Sequence, residues 1–261
     1  MNIGVFDSGL GGLTILKALL RELPQYNYIY FGDNARVPYG NRSSEIIYQF
    51  TKEAVKFLFK KNCQLIVIAC NTATATSLPK IQQEYLPKFY PNRKVLGVIK
   101  PIVEELDVRS YELDGRIGVI GTKATVNSGA FVREIKKVLP KVKVFQQACP
   151  LLVPYIENSS RNKKVLKLIL EEYLEELKKE KIDSLLLACT HYEIIKKEIE
   201  KIVGSKVEVI AEGHIVAKKL KDYLIKHPEI EKKLEKKKKV SYFFTDPNQD
   251  NKKLMELFLN D

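Results

Sequence analysis

The sequence predicts an α/β protein of two similar domains, each a mainly parallel sheet flanked by helices, with a functional cleft between them. Three observations point there. Short apolar runs alternate with segments of helical periodicity along the chain, which is the pattern of strand–helix–strand units and parallel sheets. At 261 residues the chain is long enough for two cores. One strand ending also occurs twice: Leu65-Ile66-Val67-Ile68-Ala69-Cys70-Asn71-Thr72 is echoed by Leu185-Leu186-Leu187-Ala188-Cys189-Thr190-His191. Both are apolar runs of strand length that stop at a thiol and continue into small polar residues suited to a turn or helix start. Open α/β sheets bind ligands at the carboxyl ends of their strands, so both thiols fall at binding positions.

Taken in order, residues 1–6 form a buried strand. It runs into the glycine-rich turn Asp7-Ser8-Gly9-Leu10-Gly11-Gly12 and a helix with Leu13, Leu16, Leu20 and Leu23 at helical spacing, which Pro24 stops. Residues 26–31 form a second strand ending in Gly32-Asp33, and the loop Val37-Pro38-Tyr39-Gly40 leads to a helix from about Ser43. The Cys70 strand, its helix and a short strand at 94–98 complete the first half. The second half opens near Ile99-Lys100-Pro101 with a helix over 102–106, a strand over 116–120 and the polar turn Gly121-Thr122-Lys123-Ala124-Thr125. A strand over 143–147, the loop Ala148-Cys149-Pro150, a long charged helix after Arg161 and the Cys189 strand follow. Residues 207–210, a helix after Gly213 and a late strand over 240–245 then return to the first half. The expected domains are residues 1–98 with 209–261, and residues 99–208.

Composition narrows the class of protein. An apolar fraction of 45% and a charged fraction of 29% are those of a soluble globular chain, and no apolar run approaches the ~20 residues of a membrane helix. Met1-Asn2-Ile3-Gly4-Val5-Phe6 enters a strand without a basic leader, so a cytoplasmic location is expected. There the four cysteines, Cys63, Cys70, Cys149 and Cys189, should be reduced. The net charge of +12 and the run Lys232-Lys233-Leu234-Glu235-Lys236-Lys237-Lys238-Lys239 read as solvated surface. Lysines stand beside glutamates on helices, as in Glu171-Glu172, Glu175-Glu176 and Lys178-Lys179, and no aromatic-studded strand accompanies the charge. Neither a membrane nor a nucleic-acid partner is expected.

The chemistry centres on the thiols. A cysteine at a helix start gains from the positive helix end and from N–H groups that stabilise a thiolate. Cys63 and Cys149 read as small apolar core residues, whereas the repeated polar sequel marks Cys70 and Cys189 as reactive. Cys189 and His191 could ligate zinc, but no C-x-x-C pair accompanies them and alternate strand residues point to opposite faces, so no metal is expected. Asp7 lies in a turn that is neither G-x-G-x-x-G nor a P-loop, and its charge would repel phosphate. It suits either an ammonium group or a helix cap; Asp33, at another strand end, carries the same two readings. Asn71, Thr72, Thr122, Thr125 and Thr190 offer neutral donors to a carboxylate, or turn and cap chemistry. His191, beside Cys189, suits either an acid/base partner to the thiol or a hydrogen-bonded helix-start residue, and its placement favours the first. Together these make a site for a small amino acid flanked by two thiols. One thiolate removes the α-proton while the other thiol returns a proton to the opposite face, inverting the carbon without a cofactor.

At these residues the chain resembles a known family. Phe6-Asp7-Ser8-Gly9-Leu10-Gly11-Gly12-Leu13-Thr14, Gly32-Asp33-Asn34-Ala35-Arg36-Val37-Pro38-Tyr39-Gly40, Ala69-Cys70-Asn71-Thr72-Ala73, Ile120-Gly121-Thr122-Lys123-Ala124-Thr125-Val126, Cys149-Pro150-Leu151 and Cys189-Thr190-His191-Tyr192 are similar, in order, to the motifs of glutamate racemases. The resemblance implies two α/β domains facing across a cleft, interconversion of L- and D-glutamate for peptidoglycan, and a homodimer. It implies that Cys70 is the base toward D-glutamate and Cys189 the base toward L-glutamate, assisted by Asp7 and His191. Ser8, Asn71, Thr72, Thr122 and Thr190 would hold substrate, Tyr39 and Gly40 would line the cleft, and Glu157 would be a carboxylate near the second thiol. The chain departs from the family pattern at Lys100 (usually Glu), Phe131 (usually Tyr), Glu193 (usually Pro) and Ala211-Glu212 (commonly Asp-Ser), which bears on the cleft rim, dimer contacts and the side chain accepted. The alternatives are a non-catalytic binding or regulatory homologue, a racemase of a related amino acid such as aspartate, and a hydrolase or lyase using one thiol as nucleophile.

Overall fold

Apolar runs bounded by turns fold into buried parallel strands, and the segments of helical periodicity cover them. The structure is a computed structural model that describes residues 1–108, 115–158, 162–247, 255, 256, 258 and 259. The first half comprises β1 (Asn2–Asp7), α1 (Leu13–Glu22), β2 (Tyr28–Gly32), α2 (Ser44–Lys60), β3 (Cys63–Ile68), α3 (Asn71–Lys80), the short α4 (Leu86–Phe89) and β4 (Lys94–Gly97). The second comprises α5 (Ile99–Val108), β5 (Arg116–Gly121), α6 (Lys123–Ser128), α7 (Ala130–Val138), β6 (Lys143–Ala148), α8 (Leu152–Glu157), α9 (Lys163–Lys179), β7 (Ser184–Ala188), α10 (Lys196–Val203) and β8 (Glu208–Ile210). The chain then returns through α11 (Gly213–Lys226) and α12 (Pro228–Glu231) to β9 (Val240–Phe244).

Every strand pairing among the described residues is parallel. One sheet has the order β4-β3-β1-β2-β9 and the other β6-β5-β7-β8. From β1 the chain builds outward to β2 on one side and to β3 on the other; from β5 it builds to β6 on one side and β7 on the other. Each sheet therefore has a topological switch point, between β1 and β3 and between β5 and β7, where the loops diverge and leave a crevice at the strand ends. Asp7 and Cys70 flank the first crevice, Thr122 and Cys189 the second. The late strand joins the first sheet beside β2, as the sequence suggests. β8 pairs with β7 in the second sheet; since it crosses the expected boundary at 208/209, we propose domains of 1–98 with 211–261, and 99–210.

Two local features differ from the sequence reading, one at residues 121–125 and one at the start of α5. Residues 121–125 are not a polar turn but the end of β5 and the start of α6, with the Thr122 hydroxyl accepting the Thr125 N–H at 3.2 Å as the cap. Gly129, at φ +62°, breaks α6 from α7 in a left-handed conformation that glycine adopts without strain. α5 begins at Ile99 rather than 102, because Pro101 lies in the first turn, where its missing N–H has no helical partner to lose. The charged face of α9 carries the expected exposed pairs Lys167–Glu171 and Lys179–Glu175. Among the described residues no helix is long and apolar enough to cross a membrane.

Candidate active site

The glycine-rich turn after β1 brings the halves together. Asp7 is buried at the strand end, and its Oδ2 accepts the Gly9 N–H at 2.9 Å. The turn then runs so close to the second half that a Cβ on Gly11 would sit 2.4 Å from His191 Nδ1 and 2.5 Å from Thr190 Oγ1. Gly40 plays the same part on the other rim, where a Cβ would lie 2.5 Å from Thr122 Cβ. Glycine at both positions lets the two sheets close on a small cleft lined by Ser8, Tyr39, Gly40, Cys70, Asn71, Thr72, Thr122, Cys189, Thr190 and His191. Val37, Pro38 and Val153 supply its apolar wall.

The thiols reach this cleft in different settings. Cys70 caps α3, its Sγ accepting the Ala73 N–H at 3.4 Å and donating to Ser8 Oγ at 3.4 Å. Burial, reinforced by the nearby Asp7 carboxylate, pushes its pKa up to about 12 against the favourable contacts with Ser8 and Ala73, so it rests as a thiol. Cys189 precedes a 3₁₀ turn over Thr190–Ile195, and its Sγ lies 3.8 Å from His191 Nδ1. The other ring nitrogen, Nε2, is 2.9 Å from Glu157 Oε1. Burial disfavours a charged His191, but the hydrogen bonds to Cys189 and Glu157 outweigh it and hold the imidazole pKa well above its usual value. The Phe258 ring stands edge-on to His191, 5.5 Å between centroids. An imidazole biased toward its charged form is thus fixed beside one sulfur, with no histidine beside the other among the described residues.

The remaining residues are either in the cleft or behind it. Thr72, Thr122 and Thr125 form a triangle of hydroxyls at 2.9, 3.0 and 3.1 Å that ties α3 to α6 across the two halves. Thr125 is fully buried beneath the other two. Asp7 lies under the cleft floor, accepting the Thr190 hydroxyl at 3.4 Å, and burial raises its pKa above the ordinary carboxylate value despite His191 and the Gly9 and Gly12 N–H groups. Its hydrogen bonds are those of a turn-holding carboxylate. Asp33 is not brought into the cleft: both oxygens bind Arg36 Nε, at 2.7 and 2.9 Å, and Oδ2 also accepts the Tyr39 hydroxyl. It positions Tyr39, a cleft residue, rather than a ligand. Cys63 and Cys149 pack in the cores, away from the cleft lining. Of the departures from the family pattern, Phe131 is buried in the second-half core and Lys100 lines a separate groove beside α3 and α11. Glu212 does reach the site, because Asn71 Nδ2 donates to its Oε2 at 2.8 Å.

Two thiols on facing switch points, with hydroxyl and amide groups between them, make a site of the α/β class that can act on both faces of a small molecule. The profile of the Asp/Glu/hydantoin racemase family matches residues 3–220, and the chain belongs to that family. It is 40% identical over 261 residues to a glutamate racemase of Aquifex aeolicus, covering all of this chain and 95% of that one. The crystal structure of glutamate racemase from Francisella tularensis in complex with D-glutamate superposes with a TM-score of 0.88 at 35% identity, over 100% of this chain and 94% of the other. A glutamate racemase isoform from Bacillus anthracis gives 0.89 at 33% identity, with the same coverage.

Proposed function

We propose that the protein interconverts L- and D-glutamate by a two-thiol proton transfer, supplying D-glutamate for peptidoglycan as a cytoplasmic homodimer. The single observation that carries the mechanism is that Cys70 and Cys189, ending strands of two different sheets, line one small cleft. An amino acid held between them presents its α-carbon to a sulfur on each face, which inversion by proton transfer requires. The full-length relation to glutamate racemases, one of them solved with D-glutamate, supports the substrate.

The two sulfurs divide the work. From L-glutamate, Cys189, after passing its proton to His191, removes the α-proton, and the Cys70 thiol, kept protonated by burial and Asp7, returns a proton to the opposite face. This leaves Cys70 as the thiolate that takes the α-proton in the reverse direction. On its own face Cys189 exchanges its proton with His191, whose charge Glu157 balances. By the family resemblance, Cys189 acts on L-glutamate and Cys70 on D-glutamate. Asn71, Thr72, Thr122 and Thr190 supply donors to the substrate carboxylates, and the carbanion is stabilised electrostatically by these fixed dipoles. Circular dichroism of each glutamate enantiomer with reduced protein and no added cofactor tests the function. Both should decay to the same racemic endpoint while aspartate is left unchanged; no change with either enantiomer would overturn the proposal.

A further inference from the structure

The first residue of α3, Asn71, has a partner that the proton transfer does not use. Its Nδ2 donates to Glu212 Oε2 at 2.8 Å, where Glu212 directly precedes α11. Glu212 is 3% exposed, and neither its Oε1 nor Asn71 Oδ1 has a hydrogen-bond partner among the described residues. A buried carboxylate anion with one neutral donor and one orphan oxygen is a costly arrangement. Its charged neighbours do not relieve it: Glu193, from the turn after β7, and Asp7, at the end of β1, are both acidic and both oppose its ionisation, while Lys17 and Lys196 act on Glu193. Burial is the largest cause holding the Glu212 carboxyl well above the ordinary carboxylate range.

A proton on Glu212 gives the Asn71 oxygen a donor when the Asn71 amide is turned by half, and leaves Oε1 a neutral carbonyl oxygen, which costs far less to bury than a charged one. An amide has a donor at one end and an acceptor at the other, so the half-turn exchanges them. We infer that Glu212 is a neutral positioning acid: its Oε2–H donates to Asn71 Oδ1, and this fixes the Asn71 N–H2 toward the substrate carboxylate in the cleft. The inference rests on the reading of Asn71 as a substrate donor. It gives the departure at 212 a function, since the carboxylic acid acts as a switch for whether Asn71 offers the cleft a donor or an acceptor.

The test compares steady-state kinetics of wild type, Glu212→Gln, Glu212→Met and Asn71→Ala, with glutamate as substrate at neutral pH. Glu212→Gln keeps a neutral hydrogen-bonding group and should leave KM within about twofold. Glu212→Met fills the space without a hydrogen bond and should raise KM about tenfold, the loss expected of one misplaced donor to a charged ligand, with kcat changed less. In the Asn71→Ala background Glu212→Met should add nothing. Glu212→Ala serves as the second apolar variant should Glu212→Met fail to fold. An unchanged KM in the apolar variant, a Glu212→Gln as impaired as Glu212→Met, or fully additive effects would each overturn the inference while leaving racemisation standing. A wild type inert toward glutamate would overturn the functional reading and this inference with it.

Discussion

The two thiols end strands of nearly the same sequence, yet the molecule holds them by different means. At Cys70 the polar sequel Asn71-Thr72 begins a full helix, so the sulfur is held by a helix-start N–H and by Ser8, with a carboxylate nearby and burial keeping it protonated. At Cys189 the sequel Thr190-His191 begins a 3₁₀ turn, and the sulfur is held instead by an imidazole backed by Glu157. A symmetric reaction is therefore served by an asymmetric pair. The lesson is that the strand end fixes where a sulfur lies, while the two residues after it decide what stabilises its charge.

The comparison breaks most directly at the sulfurs. Cys70→Ala and Cys189→Ala should each lower racemisation in both directions by at least about 10²–10⁴-fold, the range for losing a general acid or base, measured by polarimetry or circular dichroism. Next comes the dyad found on one side only. Glu157→Gln removes the carboxylate partner of His191 and should lower turnover about tenfold. Because the equilibrium constant between enantiomers is one, kcat/KM must fall equally in both directions; the asymmetry should appear in the separate kcat values. Equal loss of kcat both ways would remove the distinction between the two sides.

Gly11→Ala probes the same side from the opposite half. Its Cβ would meet His191 Nδ1 and Thr190 Oγ1, so it should cost about 1–3 kcal/mol of stability and reduce kcat, seen as a lower Tm and slower turnover. The smallest effect concerns the acids under the cleft. Glu212 and Asp7 have raised pKa values in the folded protein, so the native state keeps protons that the unfolded chain has released. Their contribution is intact below the ordinary carboxylate range and is lost as pH rises through the folded-state values. Glu212→Gln removes part of that loss and should raise Tm by a few degrees at pH 8 but hardly at pH 5. Equal Tm shifts at both pH values would contradict it.

Most of the fold was legible because its signals are local. The runs ending at Ala69 and Ala188 are too short and apolar to be anything but buried strands, and the helix expected from about Ser43 is α2, which Ser43 caps. Residues 121–138 were not legible: α6 is short and carries Thr125, Asn127 and Ser128, which read equally as turn, and only the Thr122 cap distinguishes them. The site divides the same way. Motif residues placed both thiols, Asn71, Thr72, Thr122, Thr190 and His191 at one cleft. Asp33 misled because a carboxylate at a strand end looks the same whether its partner is a ligand or Arg36 three residues on. Val37, Pro38 and Val153 were missed because apolar cleft walls carry no mark in a single sequence, and the Glu212–Asn71 bond because it spans 141 positions.

The central claim is that two different groups act on opposite faces of one carbon. Its most direct test is racemisation of L-glutamate in D2O, stopped after a few per cent conversion, with the α-position of each enantiomer read by mass spectrometry after chiral separation. Two thiols predict D-glutamate carrying solvent deuterium from the first turnovers while the recovered L-glutamate keeps its proton. Product that retains the substrate's own proton, or substrate that exchanges as fast as product forms, would show a single base serving both faces.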